Sequence, residues 1–140
     1  MDFLDPQSPV RELKLLERSI YLDRWAGAFR PGARVLDLGG GIGRMVEPCL
    51  DRRCDVVLVD IDAESLGRAK AHFGDRVSYV HANAESLPEL GAFDVVIACE
   101  LLNYVDNPAV VLANARQCLR VGGTLLVSVE AAYGWAMGVD

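Results

Sequence analysis

Seven residues near the start of the chain, Asp37-Leu38-Gly39-Gly40-Gly41-Ile42-Gly43, carry the strongest chemical signal. Glycines let the backbone turn tightly and come within contact distance of a ligand. A helix that follows such a turn would aim its free N–H groups and positive end at the same spot. A dinucleotide fingerprint requires G-x-G-x-x-G or G-x-G-x-x-A. From Gly39 the last position is Arg44 and from Gly41 it is Val46, so both registers fail and a nicotinamide-dependent oxidoreductase is disfavoured. The pattern that fits is D-x-G-x-G-x-G. An acid two residues before the first glycine suits a cationic ligand group better than a pyrophosphate. The alternative is a strand-to-helix turn with no ligand.

Further polar residues fall at regular stations. Asp60 ends an apolar run, 17 residues past Gly43, and can accept hydrogen bonds from both hydroxyls of a ribose. A helix cap is the competing role, although Asp62 suits that better. Asn83 offers an amide donor and acceptor for an adenine edge, or it makes a local Asx turn. Glu100, Asn103 and Tyr104 follow the fourth apolar run, where a second substrate would face the first ligand; capping and surface exposure are the alternatives.

These stations must be positioned by strands and helices. Apolar runs at 33–38, 55–59, 77–81, 92–99 and 124–129 read as strands. Helical spacing marks 10–29, with Leu13, Leu16, Ile20, Leu22, Trp25 and Phe29, and Ser8 before Pro9 as its cap. Helices are also expected at 44–51, 63–73 and 107–120, with Pro48 bending the first and Gly74 stopping the second. Alternation of this kind means βαβ units and a parallel sheet. The runs are apolar at consecutive positions, as in strands covered on both faces. The expected fold class is therefore α/β: a doubly wound parallel sheet of about five strands with helices on both faces. Every ligand station then lies at the carboxyl ends of the strands.

Composition sets outer bounds. A chain of 140 residues, 51% hydrophobic and 24% charged, is one domain's worth with a real core. Its net charge of −6 disfavours a nucleic-acid partner. Cys49, Cys54, Cys99 and Cys118 form no C-x-x-C pair, and His72 and His81 are the only histidines, so no metal site is expected. Four unpaired thiols point to a cytoplasmic setting. Residues 1–9 read as a lead-in without the apolar core of a signal peptide. No apolar run approaches the roughly 18 residues of a membrane span.

The segments VLDLGGGIGR, VLVDID, HANAESLP, FDVVIACELLNYVDNP and VGGTLLVSVE resemble, in order and spacing, the class I S-adenosylmethionine-dependent methyltransferases of the small-molecule branch. The resemblance covers 10–130, and it implies a Rossmann-like core that binds S-adenosylmethionine and releases S-adenosylhomocysteine. By it, Gly39, Gly40, Gly41 and Gly43 lie against the methionyl part and Asp37 bonds its amino group. Asp60 holds the ribose, Ile61 packs on adenine, and Asn83 stands in for the family's usual Asp at the adenine amino group. Ala84 and Cys99 add backbone contacts. Tyr21 or Arg24, on a helix that lies over the site in relatives, reaches the methionine end.

The implied reaction is methyl transfer to a small molecule, with Glu100, Tyr104 and His81 as candidate bases. The tetrapeptide of relatives that methylate amide or nucleobase nitrogens is absent. Family members have seven strands, and the sixth and seventh are lacking here. Residues 131–140 carry no strand pattern and read as an irregular tail or the start of a further part. The expectation is a fragment of a longer enzyme, or a homodimer that covers the edge of the fifth strand. A non-catalytic module acting through such an interface is the alternative.

Overall fold

The computed structural model describes residues 5–129; the first four residues of the lead-in and the 131–140 tail lie outside them. Five strands, β1 (Arg34–Leu38), β2 (Asp55–Asp60), β3 (Val77–His81), β4 (Phe93–Cys99) and β5 (Leu119–Ser128), form one sheet in the order β3-β2-β1-β4-β5. Every neighbouring pair is parallel. The runs of Val, Leu and Ile allow this. Central β1 and β4 are buried almost throughout, so no polar face has to reach water.

Two apolar layers sandwich the sheet. On one face Val35, Val56, Leu58, Val95 and Ile97 meet Met45, Val46 and Cys49, and also Leu66, Ala69 and Phe73. Those partners belong to α2 (Val46–Asp51) with its flank and to α3 (Ala63–Phe73). Leu22 and Trp25 of α1 (Arg11–Trp25) pack against the same layer. On the other face Leu36, Leu38, Val57, Val59, Phe93 and Val96 meet Ala115 and Cys118 of α4 (Pro108–Cys118). Leu87 and Leu90 join them from the long connection between β3 and β4. Helices therefore cover both faces, as expected. No helix separates β3 from β4, and the crossover there is made by a loop with apolar anchors.

Several boundaries differ from the sequence reading. Val10, not Ser8, precedes α1, and no side chain caps that helix. Its continuation over Ala26–Ala28 is a tighter 3-10 turn. Helix α2 starts at Val46 rather than at residue 44. Pro48 therefore falls in its first turn, where a missing N–H leaves no helical bond unmade. Asp62 and Asn107 cap α3 and α4 by accepting backbone N–H bonds. Gly74 ends α3 at φ 61°, a conformation open to glycine. Strand β5 begins five residues earlier than expected because a register irregularity opposite Phe93 and Val95 absorbs Gly122 and Gly123. A Cβ on Gly123 would lie 3.1 Å from the Asp94 carbonyl, so the close approach needs glycine.

The largest difference concerns α1. Leu13, Leu16 and Ile20, the first half of its apolar repeat, are half exposed, and none of its residues is fully buried. The side of α1 that faces the sheet is polar in this half.

Candidate functional site

The strand order reverses between β1 and β4, and crevices open at such switch points. Two adjoining hollows of about 320 and 430 Å³ occupy this one and share Gly39, Cys99, Glu100 and Tyr104. The smaller runs along the glycine turn past Asp37, Arg44 and Lys14. The larger extends to Asp60, Ile61, Asn83, Ala84 and Leu101. The first, second, third and fourth stations of the sequence thus converge on one elongated site.

The glycine turn is shaped by contacts at every residue. Gly39, Gly41 and Gly43 adopt φ of 64°, 57° and 90°, which side chains resist. Gly39 and Gly40 donate their N–H groups to the Val59 carbonyl, and Gly43 donates to Gly40. A Cβ on Gly40 would collide with Leu58 Cδ1 and lie 2.5 Å from Asp37 Oδ2. Gly40 is therefore as constrained as its neighbours, although its φ is ordinary. The turn occupies 41–45 before α2 begins. Loop residues 39–45, not the first turn of α2, line this side of the site.

Asp37 is buried to 2% exposure, and neither of its carboxylate oxygens has a hydrogen-bond partner. Burial pushes its pKa up to about 7; the Arg44 charge opposes the rise and the Asp60 charge adds to it. Asp37 thus lines the hollow with the bonding capacity of both oxygens unmet by the described residues.

Asp60 is held differently. Its Oδ2 accepts from Gly41 N at 2.8 Å and its Oδ1 from Asp62 N at 2.9 Å. Both bonds fix the direction of the carboxylate, and each oxygen keeps a second lone pair. Ile61 beside it is 64% exposed, an apolar side chain open to the larger hollow. His81 Nε2 lies 2.8 Å from the Ile61 carbonyl oxygen, and His81 lines neither hollow. Its Nε2 is tied to a backbone carbonyl, and the ring stands outside the space in which a second substrate would sit.

Asn83 makes the Asx turn that the sequence left open, with Oδ1 accepting from Glu85 N at 2.9 Å. It lines the larger hollow with that turn in place. The adjoining Ala84 carbonyl accepts from Asn114 Nδ2, and the Glu85 carboxylate accepts from Asn107 N at 2.8 Å. These two contacts fasten the loop to α4.

The fourth station is a charged cluster. Glu100 Oε1 accepts the Tyr21 hydroxyl at 2.6 Å. Its Oε2 pairs with Arg44 Nη2 at 3.4 Å and Lys14 Nζ at 3.6 Å. Burial would raise the Glu100 pKa, but the Tyr21 bond and the two cations overrule it and hold the carboxyl below its ordinary value. Tyr21 is pushed up to about 12, by burial first and then by its bond to Glu100. Arg44 also reaches Glu17 at 3.1 Å and donates to Cys99 Sγ at 3.0 Å. Burial lifts the Cys99 thiol above its ordinary value. Tyr104, 75% exposed, lines both hollows.

Not every expected residue is here. Arg24 is exposed and outside both hollows because it sits one helical turn beyond Tyr21, past the cluster. Tyr21 lines neither hollow and meets the site through its bond to Glu100 and through Arg44, whose guanidinium lies 5.6 Å from its ring centre. Lys14 and Glu17, conversely, carry no motif, and Arg44 ends the glycine segment without a role assigned to it. Their roles arise from pairings across up to 86 positions of sequence, and no local signal announces them. Among the described residues no group of three or more His, Cys, Asp or Glu could hold a metal ion, and no helix is long and apolar enough to cross a membrane.

Comparison with known proteins agrees with this geometry. Residues 36–127 match the family model described as a methyltransferase domain. The chain is 36% identical over 125 residues to a ubiquinone biosynthesis O-methyltransferase of Aromatoleum aromaticum, covering 86% of this chain and 52% of that protein. It is 30% identical over 128 residues to one of Xanthomonas campestris, covering 88% and 52%. The glycopeptide N-methyltransferase MtfA complexed with sinefungin shares the fold, with TM-score 0.70 at 21% identity over 79% of this chain and 48% of that one. An S-adenosylmethionine-dependent methyltransferase from Mesorhizobium loti gives TM-score 0.68 at 26% identity over 76% and 53%. The chain spans about half the length of the curated relatives it matches.

Proposed function

The chain belongs to the methyltransferase-domain family, and from that premise we propose that it binds S-adenosylmethionine across the two hollows and serves methyl transfer to an oxygen of a small molecule. The observation that carries the reading is Asp37, a buried carboxylate without a protein partner on the wall of the glycine hollow. An ammonium group is the ligand chemistry that such an acid takes. Asp60, already aimed by Gly41 and Asp62, would accept the ribose hydroxyls. Ile61 and Leu101 would flank the adenine in the larger hollow, beside the Asn83 turn. The bound group supplies a methyl already activated as a sulfonium, so the chain's own task is alignment of an acceptor with it.

The acceptor side is the face where Glu100, Leu101 and Tyr104 meet. Tyr104 is the candidate base with an exposed side chain on this face, since His81 lines neither hollow and Glu100 is engaged by Tyr21. The names of the curated relatives support an oxygen acceptor, and the net charge of −6 supports a small molecule over a nucleic acid. Four free thiols support a cytoplasmic setting. Val121 and Val127 are exposed on β5, the sheet's edge among the described residues, which supports a second copy seated there.

Calorimetric titration with S-adenosylmethionine and S-adenosylhomocysteine tests the reading. Binding of both is expected on protein whose fold circular dichroism has verified. Folded protein that gives no heat with either ligand at several temperatures overturns it.

A further inference from the structure

Helix α1 lies across the smaller hollow in an unusual orientation. Its Leu13, Leu16 and Ile20 are exposed, Leu15 is half-buried, and Lys14 lines the hollow. Between Arg11 and Tyr21 its side-chain links to the rest of the fold are charged: Lys14 to Glu100, Glu17 to Arg44, Arg18 to Glu47, and the Tyr21 hydroxyl to Glu100. Apolar packing secures only the far end, at Leu22 and Trp25.

Glu100 receives two of those four links, and its backbone is specialised for the task. It is one of two non-glycine residues with positive φ among those described, at 55°. Side-chain-bearing residues rarely adopt that region, and where they do the surroundings hold them there. The surroundings here are Ser128, whose carbonyl and hydroxyl oxygens both accept the Glu100 N–H, at 2.9 and 3.1 Å. The last residue of β5 thus turns the chain after β4 so that its carboxylate meets α1. Both carboxylate oxygens are then occupied, Oε1 by Tyr21 and Oε2 by Arg44 and Lys14.

We infer that Glu100 is a positioning residue: it latches the first half of α1 over the glycine turn and so builds the wall of the hollow that carries Lys14. Each Glu100 oxygen already answers to a side chain of α1 or of the glycine turn, the arrangement of a group that holds structure in place. The ligand-binding part of the test rests on the proposed methyl-transfer reading; the latch itself does not.

Hydrogen–deuterium exchange over residues 11–21 of the ligand-free protein reads the latch directly. Glu100→Gln removes the charge and keeps an acceptor for Tyr21, Tyr21→Phe removes only the hydroxyl, and Glu100→Ala removes both links. Exchange over 11–21 is expected to rise about tenfold in Glu100→Ala, the size of one charged hydrogen bond, and by less in the other two. Tyr21→Phe is expected to have a smaller effect in the Glu100→Ala background than alone, where the hydroxyl keeps only its Ser128 partner. The dissociation constant of S-adenosylhomocysteine and the KM for S-adenosylmethionine should rise in the same order. Unchanged exchange in both Glu100→Gln and Tyr21→Phe overturns the latch, as do effects that simply add in the double variant. A collapse of kcat with exchange and KM unmoved also overturns it, because that is the signature of a base. If Glu100→Ala fails to fold, the two milder variants decide. If the wild-type chain binds no S-adenosylhomocysteine, the functional reading fails and exchange alone judges the latch.

Discussion

Replacing Asp37 with asparagine should stabilise the ligand-free protein at neutral pH and weaken its ligand binding. The carboxyl is buried without partners, and its pKa is raised from an ordinary 3.8 to about 7. Below pH 4 both folded and unfolded chains hold the proton, and the group has no effect on stability. Between pH 4 and 7 the unfolded chain ionises first, so the folded state binds more protons and loses stability as pH rises. At about 1.4 kcal/mol per pH unit, the full cost above pH 7 is about 4 kcal/mol. Asparagine is never ionised and escapes it. Thermal unfolding of both proteins at pH 4, 5.5, 7 and 8 measures the difference. It should be smallest at pH 4 and grow to roughly 10 °C in favour of Asp37→Asn at pH 8. S-adenosylhomocysteine, whose ammonium would pair with the ionised acid, should reverse the order at saturating concentration. In the wild type its affinity should fall about tenfold for each pH unit below 7. A stability difference that does not vary with pH refutes the reasoning, because it would mean that Asp37 already has a partner in the folded chain.

Three further substitutions probe separate contacts. Asp60→Ala strips the acceptor from Gly41 N and Asp62 N and should weaken S-adenosylhomocysteine binding by about 1–3 kcal/mol in calorimetry; unchanged affinity would remove Asp60 from the site. Gly40→Ala forces a methyl against Leu58 and the Asp37 carboxylate and should lower stability in urea by about 1–3 kcal/mol. An alanine there without effect would show that the turn is looser than its contacts imply. Asn107→Ala removes the cap that accepts from Val110 N and should cost about 1 kcal/mol in the same assay, with the unfolding slope unchanged.

Much of the architecture was legible in sequence because consecutive apolar runs and capping residues are local signals. Asp62, Asn107 and Gly74 act at α3 and α4 as their types and positions implied. The glycine turn and Asp60 were legible for the same reason: φ angles above zero and a strand-end acid follow from residue type and place. Boundaries set by distant contacts were not. The start of β5 depends on how Gly123 passes the Asp94 carbonyl, 29 positions away in sequence. Asn83 illustrates the middle case. Both of its roles were open in sequence, and the Glu85 amide two residues on engages its side-chain oxygen.

By itself the sequence determined the parallel α/β sheet, the end of the sheet that carries the site, and the acids and glycines that line it. These follow from side-chain type, backbone preference and period, which are properties of short segments. Tertiary structure alone decided which face of α1 turns inward, that Asp37 is left without a partner, and that Glu100 is bound by Tyr21, Lys14 and Arg44. An apolar repeat states that a helix has two faces without stating which one meets the sheet. A carboxylate's role depends on the groups within a few ångströms of it, and here those groups come from β1, β2, β4, α1 and the glycine turn at once.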